Sequence, residues 1–407
     1  MTKLNLAFFS AKSPYEKTLR SEMDVFTCLF NQIYFFPHVE REVVDYTNHP
    51  EIITGNALYK HYTNAFLIRQ LYYNFRLYLT IMIVTMFTGR NLFYYLRGLK
   101  TYSLYLIIGF AKASDIEERI KTHDLQNAIF YDYWFEDSTL ALAILKKKGI
   151  IRHAYCRAHG FDLYDERWKQ GRVPFREFKV KHLDKIFPVS DYGLEYFKKK
   201  IHPRYHHKLE RHYLGVKPAT HFPKRQQSKD AYLIVSAART IALKQIHKIP
   251  DILSNIDLPI HWVHFGDGPA LEKAQKAAQN LPSNVSCEFK GQRPNEEILD
   301  YYANNDVDLF ISTSTSEGLP ISMMEVLSYG IPVIAYDITA MSEIVIDKTG
   351  VLVSPTAGNE EYADAISHLL LNRQEKFPPA QIIEFFERRF DYKKNYSQFA
   401  KRIISLT

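Results

Sequence analysis

The 407-residue sequence has few cysteines and no long hydrophobic run, and each shortage excludes a class of protein. Its three cysteines, Cys28, Cys156 and Cys287, are odd in number and lack metal-ligand spacing, which argues against a disulfide framework and favours reduced packing residues. The longest apolar stretch, residues 77–88, is shorter than the roughly 20 residues that a membrane-spanning helix needs. Residues 4–9 resemble a strand rather than a basic region with a cleavage site, so we expect no signal peptide.

Acidic residues are absent from residues 52–114, and this absence accounts for the net charge. The window contains seven basic residues, namely Lys60, Arg69, Arg76, Arg90, Arg97, Lys100 and Lys112. The other 45 of the 52 basic residues are balanced by 45 acidic ones, so the whole formal charge of +7 lies in this window. No nucleic-acid-binding motif accompanies the charge, and we therefore expect no nucleic-acid partner.

The same window is rich in tyrosine, phenylalanine, leucine and isoleucine. Arg69 and Arg76 belong to one predicted polar stripe at helical spacing. Arg90 and Arg97 repeat the spacing, and Gly89 between the two segments predicts a helix end. We predict two amphipathic helices that lie on an anionic membrane surface. The alternative is that these helices cover an N-terminal sheet and that their arginines face water.

Residues 317–325, with the sequence EGLPISMME, contain two carboxylates that flank a tight turn. The turn follows an apolar strand-like run and opens an apolar helical run. Gly318 therefore allows the backbone to approach a ligand, and the helix start favours an anion. Glu317 precedes the helix and Glu325 lies about two turns into it, and both carboxylates can accept hydrogen bonds from hydroxyl groups. A phosphate flanked by hydroxyl groups is a feature of sugar nucleotides, which is the ligand that this segment predicts.

Short apolar runs alternate with helical patterns along the chain, which predicts parallel, doubly wound sheets. The strands predicted in the second half are residues 232–236, 261–265, 285–289, 307–312, 332–335 and 351–353. Those predicted in the first half are residues 4–9, 33–36, 128–131, 154–157, 186–189 and 211–214. A capping-box pattern at Ser114 predicts a helix start. Because ligands bind at the carboxyl ends of parallel strands, we expect Arg239, Gly266, Gly291 and Glu317 to share one pocket.

The segment around Glu317 and Glu325 resembles the E-x7-E motif of family-4 glycosyltransferases. The other matching segments, in the order of that family, are residues 235–239 with Lys244, 264–269, 285–293, 330–335 and 342–344. The resemblance covers roughly residues 231–355. It implies an α/β chain with the GT-B fold, in which two Rossmann-like, doubly wound domains face each other across a cleft.

The polar, proline-containing stretch after residue 217 predicts a domain linker. The resemblance then implies an acceptor-binding domain at residues 1–217, which includes the basic aromatic helices at about residues 57–112. It implies a nucleotide-sugar-binding domain at residues 218–385. Residues 386–407 are predicted to form a helix that crosses back to the first domain, as the final helix does in related enzymes.

The resemblance also implies roles for the residues that bind the sugar donor. Glu317 would bind the donor's sugar hydroxyls and Glu325 its ribose hydroxyls. Arg239 and Lys244 would bind the diphosphate and stabilise the charge that grows on it as the sugar leaves. The alternative for these two cations is a pair of surface charges at a strand–helix turn. The remaining predicted donor contacts are Gly318, Leu319, Ile321 and Ser322 through the backbone, the turn at Gly266, and Arg293 beside the base.

The stretch RAHGFDLY follows a predicted strand and resembles the R-x-H-G-x-D-x-Y stretch of capsule and exopolysaccharide transferases in the same family. The resemblance implies that His159, like Glu317, is a catalytic residue. His159 would face the donor and either bind the transferred sugar or orient the acceptor. It also implies an acceptor side, made of Arg157, Gly160, Asp162 and Tyr164. For Asp162 and Tyr164 the alternative is that they support the loop, and for His159 that it only shapes the turn.

As a whole, the sequence resembles retaining, metal-independent enzymes of the hexosyltransferase type. We expect a nucleoside-diphosphate sugar donor, no cofactor, and a saccharide or lipid-linked saccharide acceptor in bacterial capsule or other cell-surface polysaccharide synthesis. The expected location is peripheral, on the inner face of the cytoplasmic membrane. Asp306 and Asp308 resemble a metal-binding Asp-x-Asp motif, but they precede a strand of the predicted GT-B series, so no metal is expected there. The alternatives are a non-catalytic module that binds sugar nucleotides and another GT-B enzyme that acts on sugar phosphates.

Overall fold

A computed structural model of the protein describes residues 4–10, 16–37, 50–54, 62–88, 96–224 and 230–407. The chain divides into two compact units, Met1–Tyr213 with Tyr396–Thr407 and Leu214–Asn395. The division falls between residues 213 and 214, slightly before the predicted boundary at residue 217, and the residues after Asn395 group with the first unit.

A parallel sheet forms the centre of the first unit. Its strands are β1 (Leu6–Ser10), β2 (Ile33–Pro37), β3 (Ile52–Thr54), β4 (Ile129–Asp132), β5 (His153–Ala158) and β6 (Lys185–Pro188), in the order β3-β2-β1-β4-β5-β6. The helices described in this unit are α1 (Glu16–Leu29), α2 (Asn64–Tyr73), α3 (Phe75–Thr88), α4 (Leu99–Thr122), α5 (Asp137–Lys147), α6 (Gly160–Leu163), α7 (Arg176–His182) and α8 (Asp191–Lys200). The strands are apolar and buried because helices cover both faces of a parallel sheet.

The second unit has the same architecture. Its strands are β7 (Tyr232–Ala237), β8 (Ile260–Phe265), β9 (Val285–Gly291), β10 (Leu309–Ser312), β11 (Val333–Tyr336) and β12 (Gly350–Val353), in the order β12-β11-β10-β7-β8-β9. Its helices are α9 (Lys248–Leu253), α10 (Leu271–Ala278), α11 (Asn295–Asn304), α12 (Ile321–Ser328), α13 (Asn359–Leu371), α14 (Arg373–Lys376) and α15 (Pro379–Phe390), and α16 (Tyr392–Ser405) begins there. The predicted α/β class with a doubly wound sheet in each half is confirmed.

Both sheets contain a point where the strand order reverses. In the first unit, successive strands are added on one side of β1 and then on the other side, beginning with β4. In the second unit, the same change of direction lies between β7 and β10. The segments that follow such a pair of strands diverge to opposite faces of the sheet, which leaves a crevice at their carboxyl ends. These two edges are therefore where ligand-binding residues are expected in each unit.

One predicted strand, residues 211–214, was wrong, and one observed strand, β3, was not predicted. The chain passes β6 with the amides of Glu210 and His212 donating to the carbonyls of Ile186 and Pro188, each at 3.1 Å, and the nearby Ile186–Leu209 bridge is isolated. Strand β3 has three residues, so its apolar run is too short to give a periodic signal.

The predicted helix start at Ser114 was also wrong. Ser114 lies inside α4, which runs from Leu99 to Thr122. Phe110, Ala113 and Ile116 are buried on both sides of the capping-box residue, so the apolar face of the helix continues through it. Packing of that face against the core overrides the local capping signal.

The described part of the basic window contains β3, α2, α3, the helical residues 96–97 and the start of α4. Asn74 ends α2 just before α3 begins, so this part contains more helical segments than the two predicted. The predicted helix end at Gly89 and the residues Lys60 and Arg90 lie outside the described residues.

These helices have two different faces. Met82 of α3 and Leu106 and Phe110 of α4 are buried in the core of the first unit, so one face does cover the sheet. The opposite face carries the exposed Arg69 and Arg76 together with large apolar side chains, of which Tyr72 and Phe87 are each 79% exposed. The other large apolar residues exposed on these helices are Ile68, Tyr73, Phe75, Leu79, Ile83, Val84, Leu99 and Leu104, and Leu96 is exposed just before α4. None of the described helices is both long and apolar enough to cross a bilayer.

Arg157 lies in the core of the first unit with no exposed surface. Its guanidinium donates to Glu22 Oε1 at 3.1 Å and to the hydroxyl of Tyr131 at 2.7 Å. It also donates to the carbonyl of His212 at 3.2 Å and lies 3.9 Å from the ring centre of Phe399. Burial raises the pKa of Glu22, and the charge of Arg157 opposes that rise. The predicted acceptor contact is corrected: Arg157 joins β5 to α1 and has no surface left for a ligand.

Removal of the Glu22 carboxylate tests this role. Glu22→Ala leaves the Arg157 charge buried and without its partner, and we expect the free energy of unfolding to fall by about 3–5 kcal/mol. Urea unfolding followed by circular dichroism measures the change. The control is Glu117→Ala, which removes an exposed pair with Lys121 and should cost less than about 0.5 kcal/mol. Equal effects of the two substitutions would contradict the assigned role.

Candidate functional site

The candidate site lies where β7 and β10 meet at the reversal of the second sheet. The two strands are parallel neighbours, with Leu309 opposite Ile234 and Phe310 opposite Val235. A 3-10 turn at Ala242–Lys244 follows β7, and α12 follows β10. The loops enclose a pocket, and its lining includes Ser236, Lys244, Ser312, Glu317, Pro320 and Ser322. Sequence reasoning predicted that Arg239, Gly266, Gly291 and Glu317 share one pocket. Of these four residues the lining includes only Glu317, which lies there with Lys244 and Ser322.

Lys244 and Glu317 form an ion pair at the centre of this pocket. The Lys244 ammonium donates to Glu317 Oε1, and the Glu317 amide donates to the hydroxyl of Thr339 at 3.0 Å. Glu317 is 8% exposed, so its carboxylate is largely removed from water. An ion pair in such surroundings is stronger than one at the surface, and it holds both side chains in place.

The backbone on either side of the ion pair is also fixed. The hydroxyl of Thr313 donates to the carbonyls of Lys244 and Gln245, at 3.0 Å each. The amide of Thr315 donates to the carbonyl of Leu243 at 2.9 Å. Gln245 ends the turn with a φ of 47°, a left-handed conformation that non-glycine residues adopt only when their surroundings enforce it. The loops after β7 and β10 are therefore joined residue by residue.

The start of α12 opens into the same pocket. The amides of Met323 and Met324 make the first helical hydrogen bonds, to the carbonyl of Pro320 at 3.2 and 3.3 Å. The amides of Ile321 and Ser322 precede these bonds and lie at the positive end of the helix dipole. This end of the helix can bind an anion such as a phosphate.

Glu325 and Leu319 occupy different surroundings within the predicted motif. Glu325 lies on α12 and accepts a hydrogen bond from Asn295 Nδ2 at 2.9 Å. The side chain of Leu319 is buried, so only its backbone is placed to serve a ligand. Gly318 is half-buried between the two glutamates.

Arg239 and Arg293 do not line the pocket. Arg239 is exposed on the loop after β7. Arg293 is exposed after β9, where its Nε donates to the carbonyl of Lys290 at 2.9 Å and its Nη1 lies 3.8 Å from Glu297. The structure therefore brings one of the two predicted diphosphate-binding cations into contact with Glu317.

Gly266 allows two loops to pack closely. Its φ is 147°, and a side chain there would place Cβ 1.9 Å from the carbonyl oxygen of Ala238. Gly268 makes a similar approach to Thr240, whose oxygen would lie 2.4 Å from a Cβ. These glycines position the loop that bears Arg239, since any side chain would displace it.

His264 is a site residue whose role sequence reasoning missed. Its Nδ1 lies 2.8 Å from Ser236 Oγ and its Nε2 lies 3.1 Å from Thr240 Oγ1. Burial lowers the pKa of His264 to about 4, so the ring is neutral near pH 7. The neutral ring has one donor and one acceptor nitrogen and ties β8 to both ends of the loop after β7. The sequence does contain a sign of this role, because His264 is a polar residue within an otherwise largely apolar strand.

The predicted acceptor-side residues of the first unit mostly support a loop. Asp162 is fully buried and accepts hydrogen bonds from the amides of His159 at 2.6 Å and Phe135 at 2.7 Å. Tyr164 is buried, and its ring packs 4.9 Å from that of Tyr196. Gly160, also buried, begins α6. For Asp162 and Tyr164 the structure favours the alternative in which they support the loop.

The two aspartates of the Asp-x-Asp pattern serve the second unit's structure. Arg373 Nη2 lies 3.3 Å from Asp306 Oδ1, and Arg373 Nη1 donates to Asp308. Asp308 also accepts from the amide of Leu233 at 2.8 Å. Across the described ranges, histidine, cysteine and acidic side chains form no group of three or more with the arrangement of a metal site.

A family model matches most of the second unit. Residues 218–389 match the family model for glycosyl transferases group 1. The match contains the whole pocket at β7 and β10, including Lys244 and Glu317.

Curated relatives match parts of the chain. Alpha-monoglucosyldiacylglycerol synthase of Streptococcus pneumoniae is 38% identical over 99 residues, which are 24% of this chain and 22% of that protein. The candidate colanic acid biosynthesis glycosyltransferase WcaL of Escherichia coli is 24% identical over 229 residues, which are 54% of this chain and 56% of that protein. The chain thus matches less than two thirds of the length of either relative.

A solved structure extends the likeness to the whole chain. HepE of Anabaena in complex with UDP matches 99% of this chain and 100% of its own, with a TM-score of 0.70 and 14% identity. At that identity the likeness concerns the fold, and it confirms the predicted GT-B fold class.

The pKa of His264 gives a testable pH dependence. Because its pKa is about 4 in the folded protein and about 6.5 in an unfolded chain, unfolding is accompanied by proton uptake between these values. The stability associated with the neutral ring is fully present above about pH 6.5 and is lost as the pH falls towards 4. The His264→Asn variant has no histidine to protonate at this position, so it does not lose this stability on acidification. The difference in free energy of unfolding between wild type and variant should therefore shrink as the pH falls from about 6.5 to 4.

Urea unfolding at a series of pH values measures this difference. His261→Asn controls for the introduction of an asparagine into the same strand. A difference between the wild type and His264→Asn that stays constant or grows on acidification would contradict a neutral, buried His264.

Proposed function

We propose that the protein is a retaining glycosyltransferase that moves a sugar from a nucleoside-diphosphate sugar to a saccharide acceptor. The observation that carries the proposal is the Lys244–Glu317 ion pair at the reversal of the second sheet, beside the start of α12. The family match over residues 218–389 supports the same reaction class. HepE has the same fold and its structure contains UDP, which supports a donor sugar that is attached to a nucleotide.

In this proposal the donor exchanges partners with the ion pair. Lys244 releases the Glu317 carboxylate and binds diphosphate oxygens, while the amides at Ile321 and Ser322 receive the distal phosphate. The released Glu317 accepts hydrogen bonds from the sugar hydroxyls. Glu325, about one turn into α12, accepts them from the ribose hydroxyls.

The remaining predicted donor residues act around this centre. Arg239, exposed on the loop after β7, contributes a second cation to the diphosphate. Arg293 flanks the base. Neither side chain lines the pocket, so both act by moving towards a bound donor.

The proposed reaction needs no protein nucleophile, metal or cofactor. The bond between the anomeric carbon and the diphosphate oxygen breaks, and the acceptor oxygen bonds to the same face of that carbon. The acceptor proton passes to the leaving diphosphate, so the anomeric configuration is retained. Lys244 and Arg239 stabilise the charge on the leaving group. His159 contributes by a hydrogen bond that orients the acceptor saccharide.

The acceptor proposed is a saccharide or lipid-linked saccharide of a bacterial capsule or other cell-surface polysaccharide. One matched relative is named for colanic acid biosynthesis and another for the synthesis of a glucosyldiacylglycerol, which supports carbohydrate and lipid-linked acceptors. The place of action proposed is the inner face of the cytoplasmic membrane.

Release of nucleotide from purified protein tests the reaction class. A panel of UDP-, GDP-, ADP- and TDP-sugars is incubated without added metal, and we expect slow hydrolysis of one donor. Glu317→Ala and Lys244→Ala should each lower the rate by about 100-fold or more, because each removes a group that acts on the reacting centre. Glu272→Ala, at an exposed acid on α10, is the matched control and should retain the wild-type rate.

The outcomes of that assay separate the alternatives. If a nucleotide raises the melting temperature but no donor is hydrolysed even with glycan acceptors present, a non-catalytic module is favoured. If sugar phosphates are turned over instead of sugar nucleotides, another GT-B enzyme class is favoured. Equal rates for Glu317→Ala and Glu272→Ala would refute the assigned site.

The exposed face of α2, α3 and the start of α4 supports membrane contact. It combines apolar residues such as Tyr72 and Phe87 with a window that has no acidic residue before Asp115. Basic side chains near such a face are attracted to anionic lipids, and aromatic rings insert at the interface. Lys112 does not contribute, because it is buried and lies 2.6 Å from Asp137.

Flotation with vesicles tests membrane contact. We expect the protein to float with phosphatidylglycerol-containing vesicles and to sediment with pure phosphatidylcholine vesicles. Joint reversal of Arg69, Arg76 and Arg97 to glutamate should abolish flotation, since each charge near an anionic surface contributes about 1 kcal/mol.

Two matched variants test whether any charge reversal or any loss of an exposed apolar side chain reduces flotation. Lys273→Glu reverses an exposed charge on the second unit, and Leu371→Ser removes an exposed apolar side chain there. Both should float like the wild type, whereas Phe87→Ser should weaken flotation. Flotation of the triple arginine variant at wild-type levels would contradict the proposed membrane surface.

A further inference from the structure

An aromatic cluster lies at the carboxyl edge of the first sheet, where β4 and β5 end side by side. Tyr133 and Trp134 follow β4, and His159 and Phe161 follow β5. The ring of Trp134 lies 4.2 Å from that of His159 and 5.1 Å from that of Phe161, and Tyr133 lies 4.7 Å from His159. The cluster is next to the reversal of strand order, where doubly wound sheets bind ligands.

Buried polar groups hold the loop after β4 in one conformation. The amide of Trp134 donates to Asp132 Oδ1 at 3.2 Å, and its carbonyl accepts from the hydroxyl of Thr139 at 2.5 Å. The amide of Phe135 donates to Asp162, and its carbonyl accepts from the Lys179 ammonium at 2.7 Å. The partners Asp132, Thr139, Asp162 and Lys179 are all buried, so breaking one of these hydrogen bonds would leave a buried polar atom without water.

Asp162 connects this loop to the loop after β5. One of its oxygens accepts from the amide of Phe135 and the other from the amide of His159. The separation between Trp134 and His159 is therefore fixed through a single buried carboxylate. Binding surfaces that are fixed before the ligand arrives lose less conformational freedom on binding.

The cluster combines exposed apolar area with polar atoms that lack partners. Phe161 is 41% exposed and Trp134 is half-buried. The Nε1 of Trp134 and both ring nitrogens of His159 are buried without hydrogen bonds, and His159 itself is 9% exposed. The nearest carboxylate oxygen to His159 Nδ1 lies 3.6 Å away, on Asp162. Buried polar atoms without partners are rare in folded proteins and indicate a place where a ligand can supply them.

The chemistry of the neighbouring charges favours a neutral ligand. Lys179 is buried and bound to the Phe135 carbonyl, and Lys112 is buried and paired with Asp137. Neither cation is placed to receive a phosphate. A pyranose ring has an apolar face of C–H groups that can pack on an aromatic ring, and a rim of hydroxyls that can bond to ring nitrogens.

We propose that Trp134, Phe161 and His159 form a saccharide platform that binds a pyranose ring of the acceptor. This inference rests on the proposed function for its biological meaning, because it names the residues and the ligand chemistry on the acceptor side. Trp134 and Phe161 provide the apolar surface, and His159 provides hydrogen bonds to hydroxyls. Asp162 and Lys179 act as positioning residues.

Fluorine NMR of the protein labelled with 5-fluorotryptophan tests the platform without an activity assay. The chain has three tryptophans, Trp134, Trp168 and Trp262, so each gives one resonance. The Trp134 resonance is the one missing from Trp134→Phe. The probes are methyl glycosides of glucose, galactose, mannose and N-acetylglucosamine, with α- and β-linked disaccharides, up to their solubility limits.

We expect at least one saccharide to shift the Trp134 resonance saturably while leaving Trp262 unchanged. Phe161→Ala should weaken that binding by roughly threefold to tenfold, as expected for loss of an aromatic contact. Phe222→Ala is the matched control, since Phe222 is an exposed phenylalanine (52%) on the second unit, and it should bind like the wild type. Circular dichroism of both variants checks that they are folded.

Nucleotide binding distinguishes failure of the platform from failure of the proposed function. Melting temperatures with UDP, GDP, ADP and TDP measure nucleotide binding independently of saccharide binding. If a nucleotide binds but no saccharide shifts Trp134, the platform is refuted and the proposed donor site stands. If a saccharide shifts Trp134 and no nucleotide binds, the platform is supported and the proposed function loses its donor. Equal saccharide binding by Phe161→Ala and wild type also refutes the platform.

Discussion

The reversal of strand order in the second sheet is the constraint on which the site depends. Lys244 and Glu317 are 73 residues apart in sequence, and they meet because β7 and β10 are neighbours whose following segments diverge. Thr313 then ties the two loops together, because its hydroxyl donates to the carbonyl of Lys244. The order of the strands thus brings Lys244 and Glu317 together, and local hydrogen bonds then fix the loops that carry them. The start of α12 adds a positive backbone end to the same crevice.

Buried charges have a comparable role in the first unit, where they act as scaffold. Arg157 with Glu22 joins β5 to α1, and Asp162 joins the loops after β4 and β5. A charge removed from water must be paired or hydrogen-bonded, so each of these groups fixes the backbone that satisfies it. Burial raises the pKa of Asp132 to about 7 and lowers that of Lys179 to about 7, which reflects how dry this layer is. These buried groups hold the loops that carry the aromatic rings of Trp134, His159 and Phe161, which form the proposed saccharide platform.

The fold and the donor-side centre followed from patterns that are local in sequence. Buried parallel strands give continuous apolar runs, which is why most predicted strands overlap observed ones. Arg157 could not be placed in this way, because its partner Glu22 is 135 residues distant and a buried arginine has no local signature. The capping pattern at Ser114 failed for a related reason, since the apolar face that continues α4 is defined by the core it packs against. The structural role of His264 required knowing that Ser236 and Thr240 lie beside it.

A crystal structure of the protein with the bound nucleoside diphosphate is the most direct test of the account. We predict that the diphosphate lies against the amides of Ile321 and Ser322, that the Lys244 ammonium contacts a phosphate oxygen, and that the Glu317 carboxylate no longer contacts Lys244. A ribose hydroxyl within hydrogen-bonding distance of Glu325 is also expected. A nucleotide bound elsewhere, with the Lys244–Glu317 ion pair intact, would contradict the central claim that this pair is the donor site.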